Sequence, residues 1–345
     1  MLSLSELPTL ATMGVGSYAA PGWFIQFRKT IQSGAAGPLD IEEALADATR
    51  VVVADQLDAG IDVISDGELR RSRFVYEMYQ HLDGLERIPP VRKIGIAGYD
   101  MAPSFVAVDT VHAPNGFGLV DDYRFLRALL PADAQTKMAI PGPLTFGGSI
   151  AAGRRSKEDL LEEIVRSIRG ELNALVAAGE TYLQLDEPLF PHPPYGLTLS
   201  EGALLINRCL EGLSATTAVH ICFGNNAGRP FADRRFSRLM DAMMLLQTDQ
   251  LILEFANREF AEIDLLASLS TRYHIAAGVI DVKNYRVESP EDVAERIDNC
   301  LKFAPQSRLS LTADCGFSAL PRYIAKQKLE ALAAGARLAR GAQSP

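Results

Sequence analysis

The chain has 345 residues, 48% hydrophobic and 22% charged, and its 34 Lys and Arg against 43 Asp and Glu give a formal charge of −9. That composition excludes wholesale disorder, and an acidic chain without a basic run is a poor partner for nucleic acid or an anionic membrane. No apolar run reaches the roughly 18 residues of a membrane span, and residues 1–13 carry Glu6 and Pro8 with no basic start, so a cytoplasmic protein is expected.

Short apolar runs rich in Val, Ile and Leu fall at 10–17, 61–66, 137–141, 181–186, 218–223, 251–255, 274–280 and 309–313. Most lack strict alternation, as do strands buried on both faces of a parallel sheet. Helical patterns lie at 41–60, 157–179, 200–213, 233–246, 290–303 and 321–338. Within 157–179, Leu161, Ile164, Ile168, Leu172, Leu175 and Val176 form one apolar stripe, with Glu162, Glu163, Arg166 and Arg169 expected toward water. Ser289-Pro290-Glu291 reads as a helix start, with a Ser cap and Pro at the first helical position. Eight strand runs, most followed by a helical pattern, predict an α/β fold, a single (β/α)8 TIM barrel. The rhythm breaks between the second and third strands, where strand-like pieces at 93–96 and 104–111 mark residues 86–115 as a β insertion. No Ser/Gly-rich linker divides the chain, so residues 1–345 are expected to form one catalytic domain.

In such a barrel, chemistry sits at the C-terminal ends of the strands. Those ends read Gly14-Val15-Gly16-Ser17, Asp66-Gly67-Glu68, Pro141-Gly142-Pro143, Asp186-Glu187-Pro188, His220-Ile221-Cys222, Glu254, Asp281-Val282-Lys283-Asn284 and Asp314-Cys315-Gly316. His220 and Cys222 are two apart and share one face of a strand, Glu254 ends the next strand, and Cys315 ends the last. Two thiolates, an imidazole and a carboxylate make a tetrahedral set suited to Zn²⁺. The other cysteines, Cys209 and Cys300, fall inside helical patterns and are assigned to packing. A sulfur-rich zinc site of net charge −1 is a weak Lewis acid toward carbonyls but suits an incoming thiol, whose pKa a metal lowers from about 8.5. Glu254, as a carboxylate, is the expected exchangeable ligand. Alkylation of a substrate thiol is therefore favoured over hydrolysis.

The strings GVGSY, SDGELRRSRF, IPGPLTF, LQLDEP, HICFGN, LILEFAN, GVIDVKN and TADCG, in this order, resemble the catalytic barrel of cobalamin-independent methionine synthase. The resemblance implies zinc at His220, Cys222, Glu254 and Cys315 and methyl transfer to the thiol of homocysteine. It implies amino-acid binding at Ser17, Glu68 and Asp186, in keeping with carboxylates for an α-ammonium and a hydroxyl for an α-carboxylate. Asp66 and Glu187 compete for those roles, since turn and cap chemistry would use the same residue types. Three features depart from the family. A single barrel is expected, Phe146 is the only aromatic near the string that carries the folate-stacking Trp, and Lys283 replaces the family's His. The expected donor is therefore a methylcorrinoid, such as methylcobalamin or a corrinoid protein, in place of methyltetrahydrofolate. Asp281 and Lys283 are candidates for handling the leaving group or for a rim ion pair.

Three other readings compete. An epoxyalkane:coenzyme M transferase would use the same zinc chemistry but needs a cation for its sulfonate, for which Arg70, Arg71 or Arg73 is available. A barrel like the decarboxylase acting on uroporphyrinogen leaves His220, Cys222 and Cys315 unexplained. A zinc-stabilised structural protein would need a closed four-ligand site.

Overall fold

The computed structural model describes residues 3–71, 75–76, 78–90, 103–225 and 232–342. Its strands are β1 (Val63–Ile64), β2 (Asp83–Ile88), β3 (Ser104–His112), β4 (Gln135–Thr136), β5 (Met138–Pro141), β6 (Ile150–Ala151), β7 (Tyr182–Asp186), β8 (Thr216–Ile221), β9 (Gln250–Glu254), β10 (His274–Ile280) and β11 (Leu309–Ala313). The helices are α1 (Gly22–Gln32), α2 (Pro38–Ala59), α3 (Leu119–Ala128), α4 (Pro143–Gly147), α5 (Lys157–Ala178), α6 (Leu199–Leu210), α7 (Met240–Met243), α8 (Leu266–Leu269), α9 (Pro290–Leu301) and α10 (Arg322–Ala342).

A six-stranded parallel sheet runs β5, β7, β8, β9, β10, β11. Its strands are buried along their whole length, which explains why they are rich in Val, Ile, Leu and Ala without strict alternation. β1 pairs with β4 in a separate two-stranded parallel sheet, and Lys137 alone separates β4 from β5. Isolated parallel bridges join Thr12 to Leu311 and Met13 to Val63. The expected strand at 10–17 is reduced to these bridges. Leu10 lies at φ 53, in the left-handed region, so extended backbone cannot begin there. Beyond the bridges, Gly14 and Gly16 weaken any ladder.

The α5 stripe is buried as expected at Leu161, Ile164, Ile168, Leu172 and Leu175, each worth about 1.5–3 kcal/mol of transfer free energy. Glu163 differs from expectation. It is buried, accepting Arg155 Nη1 at 2.6 Å and the Val111 N–H at 2.9 Å, and so ties α5 to β3. The pattern at 233–246 yields only a 3-10 turn at Phe236–Arg238 and the four-residue α7. Side chains from elsewhere take its backbone groups. Glu262 accepts the Phe236 and Ser237 N–H groups, and Tyr273 Oη donates to the Met243 and Leu246 carbonyls. Ser289 caps α9 by accepting the Asp292 N–H at 3.0 Å, with Pro290 first in the helix.

The stretch expected as a β insertion holds an antiparallel pair, β2 with β3, extended by β6 on β3. It begins at Asp83, three residues before the expected boundary. The expected piece at 93–96 lies outside the described residues. Among the described residues no helix is long and apolar enough to cross a membrane.

Candidate metal and acceptor site

Neighbouring strands deliver the expected site residues to adjacent C-terminal ends. Asp186 closes β7 in register with His220 of β8, and Glu254 closes β9 in register with Gly278 of β10. Cys222 follows β8 directly, Asp281 and Lys283 follow β10, and Cys315 follows β11.

Ligand atoms of His220, Cys222 and Cys315 lie within 4.8 Å of one another, and the two sulfurs are 3.9 Å apart. Tetrahedral zinc with Zn–S bonds of about 2.3 Å separates two thiolates by roughly 3.8 Å, so the pair is already spaced for a shared ion. His220 Nε2 is buried without a hydrogen-bond partner. A coordination bond accounts for such a nitrogen beside two thiols, and the donor set fits zinc. The hydrogen bond from Cys222 brings Cys315 down to about 7, while Cys222 is pushed well up.

Glu254 is fully buried but stands outside that three-residue group. Its Oε2 accepts Lys283 Nζ at 2.7 Å and the Phe223 N–H at 3.4 Å, and its Oε1 has no partner. Burial alone would depress the Lys283 ammonium, but the Glu254 charge outweighs it and holds Lys283 above its ordinary range. The fourth expected ligand thus sits next to the residue after Cys222, held by a counter-ion.

Ser17, Glu68 and Asp186 adjoin the same centre. A Cβ on Gly316 would meet Ser17 Oγ at 1.9 Å, and one on Gly16 would meet Glu68 Oε1 at 2.3 Å, so both glycines make room for these side chains. Burial pushes Glu68 up to about 8, against the opposing charge of Arg71, whose Nη2 is 3.4 Å away. Asp186 Oδ1 accepts His220 Nδ1 at 3.0 Å and Gln184 Nε2 at 2.6 Å. Asp66 and Glu187 take structural work. Asp66 accepts the Glu68 N–H at 3.1 Å, while Glu187 caps α4 through the Leu144 and Thr145 N–H groups at 2.9 and 3.0 Å. Asp281 accepts the Lys283 N–H at 2.8 Å and Asn257 Nδ2 at 3.1 Å, which anchors the loop after β10.

Lys137 and Gln184 escaped the sequence reading as site residues, and Arg71 and Asp314 were noted there without the roles they take. Lys137 is wholly buried and brought down to about 7 by burial, against the charges of Asp186 and Glu68. Its signal was available, since a lysine inside an apolar strand run must be paired or neutralised. Asp314 receives the Phe255, Ala256 and Asn257 N–H groups at 2.9, 2.9 and 2.6 Å and fixes the backbone just past Glu254. Nothing in its Asp-Cys-Gly string separates that role from metal binding.

A family model for the cobalamin-independent synthase catalytic domain matches residues 10–337. The chain belongs to this family. It is a methyltransferase of the methionine synthase kind, and the resemblance drawn from its motifs holds. Methionine synthase from Saccharolobus solfataricus is 31% identical over 338 residues, 98% of this chain and 97% of its own. The Thermococcus kodakarensis enzyme is 31% identical over 336 residues, 97% and 95% of the two chains. A B12-independent methionine synthase from a Shewanella species, solved with selenomethionine, superposes with a TM-score of 0.81 at 27% identity, covering 97% of this chain and 98% of that one. A putative vitamin-B12-independent methionine synthase from Listeria monocytogenes, at 21% identity and a TM-score of 0.70, shares the fold.

Proposed function

We propose that this protein methylates the thiol of homocysteine at a single zinc ion held by His220, Cys222 and Cys315, with Glu254 as the exchangeable fourth ligand. The observation that carries the reading is the convergence of three sulfur and nitrogen ligands, spaced for one ion, beside two buried carboxylates. Zinc bound there supplies the positive charge that keeps an acceptor thiol ionised near neutral pH.

The protein's own groups do the rest. Glu68 and Asp186 pair with the α-ammonium, and Ser17 Oγ donates to the α-carboxylate. With a pKa of about 8, Glu68 is largely protonated at pH 7, so the arriving ammonium takes the place of a proton. Lys283 retains Glu254 when the acceptor sulfur occupies the position that carboxylate would fill. Positioning then sets the sulfur in line with the methyl carbon. The selenomethionine in the Shewanella relative is in keeping with an amino-acid acceptor. Coenzyme M, with a sulfonate and no amine, would meet two buried carboxylates instead.

For the donor we propose a methylcorrinoid, free methylcobalamin or a corrinoid protein. The family's cobalamin-independent name favours methyltetrahydrofolate. Against that stands Phe146, fully buried between Tyr79 and Phe117 with ring centroids at 5.2 and 5.1 Å, where it has no free face for a pterin. Closure of the parallel strands into one (β/α)8 barrel over residues 1–345 belongs to the same reading, and the bridges at Thr12 and Met13 support it. The deciding assay is turnover of homocysteine with methylcobalamin and methyltetrahydrofolate side by side, with zinc content measured on the same samples. Methionine from the first donor alone is expected. Methionine from folate alone overturns the donor, and methionine from neither overturns the function.

A further inference from the structure

Asp186 is read above as an acceptor-binding carboxylate, yet its shortest contacts run the other way, into the metal site. β7 and β8 pair with Asp186 directly beside His220, and both side chains are buried, at 6% and 3% exposure. Asp186 Oδ1 lies 3.0 Å from His220 Nδ1. Gln184 braces the carboxylate from its own strand, its Nε2 donating to Asp186 Oδ1 at 2.6 Å and to the Val15 carbonyl at 2.8 Å. A carboxylate oxygen accepts this bond, so Nδ1 carries a proton and the neutral ring keeps its lone pair on Nε2. Nε2 is the buried ring nitrogen with no other partner.

We propose that Asp186 is a positioning residue of the metal centre: it fixes the His220 tautomer and ring orientation, so that one carboxylate serves both the metal ligand and the acceptor amine. This rests on the proposed zinc site. A carboxylate behind a ligating imidazole raises its basicity, and losing such a partner typically costs 10–100-fold in metal affinity. Because the same carboxylate meets the α-ammonium, acceptor and zinc are thermodynamically linked, each altering the affinity of the other by the same factor.

The test compares zinc affinity of the whole protein, by competition with a chromophoric chelator and without acceptor, for wild type, Asp186→Ala, Asp186→Asn and Glu68→Gln. Both Asp186 variants are expected to bind zinc roughly 10–100-fold more weakly. Glu68→Gln, at the other acceptor carboxylate, is expected to match wild type. Asp186 variants that bind zinc as wild type does overturn the proposal and leave Asp186 to the acceptor alone. Two-bond proton–nitrogen correlation spectra of wild-type metal-free protein give a readout independent of variant folding. At a pH where the ring is neutral, His220 should carry its proton on Nδ1, and a neutral ring protonated on Nε2 instead overturns the proposal. A wild type that takes up no zinc defeats the functional reading, and the tautomer measurement still decides this one.

Discussion

Lys283→Met tests the ion pair that holds Glu254. Both side chains are buried, at 1% and 0% exposure, and their charged atoms are 2.7 Å apart. Methionine keeps much of the length of the lysine stem and removes its charge. Without zinc, Glu254 is then left as a buried unpaired carboxylate, which costs about 3–5 kcal/mol. Zinc offers the carboxylate another partner, so the zinc-loaded variant should recover most of the loss, and by linkage it should bind zinc roughly 100-fold more tightly, about 3 kcal/mol. Urea midpoints with chelator and with zinc measure both terms. Equal losses with and without zinc would show that Glu254 is not a ligand.

Cys315→Ala is expected to lose zinc and turnover together, whereas Cys300→Ala, buried on α9 with its thiol pushed up to about 12, should keep both by elemental analysis and assay. Gly16→Ala drives a methyl to within 2.3 Å of Glu68 Oε1. It should raise the KM for homocysteine roughly 10–100-fold by displacing one charged hydrogen bond, with zinc content unchanged. The Glu68 carboxyl, raised to about 8 by burial, favours the folded acceptor-free protein below its ordinary pKa, and that contribution fades as pH rises through 8. Acceptor binding, which needs the ionised form, should therefore tighten by up to about tenfold per unit between pH 6 and 8. Isothermal titration should register proton release over that range, and Glu68→Gln should abolish both slopes.

The fold was legible where the sequence repeats one physical demand. Strands buried on both faces need continuous apolar runs, and 274–280 and 309–313 match β10 and β11 to the residue. It was illegible where a local exception wins. Leu10 adopts a left-handed conformation that nothing in its residue type announces. At 236–246 the backbone is satisfied by Glu262 and Tyr273, partners brought in from later in the chain, so a helical spacing of apolar residues does not become a helix. Glu163 shows the same limit on a helix that did form, because its partner Arg155 and the β3 backbone were not visible as neighbours.

The site poses a sharper version of that problem, because its residue types are ambiguous. Asp66, Glu68, Asp186, Glu187, Glu254, Asp281 and Asp314 all stand at strand ends. What separates them is how much of each carboxylate's accepting capacity the backbone has already used. Asp314 is occupied by three amide groups and Glu187 by two amides and the Thr145 hydroxyl, so neither has much left for a ligand. Glu254 keeps a buried oxygen with no partner, and among the described residues Glu68 has only a long contact from Arg71 at 3.4 Å. An amide-saturated carboxylate holds loops in place, while an unsaturated buried one is stable only if a cation, a proton or a metal completes it. By that criterion, and on the proposed function, Lys283 and zinc are rival partners for Glu254, and the acceptor ammonium and a proton are rival partners for Glu68. Methyl transfer would then run with one positive partner exchanged for another at two fixed carboxylates, without moving the strands that carry them.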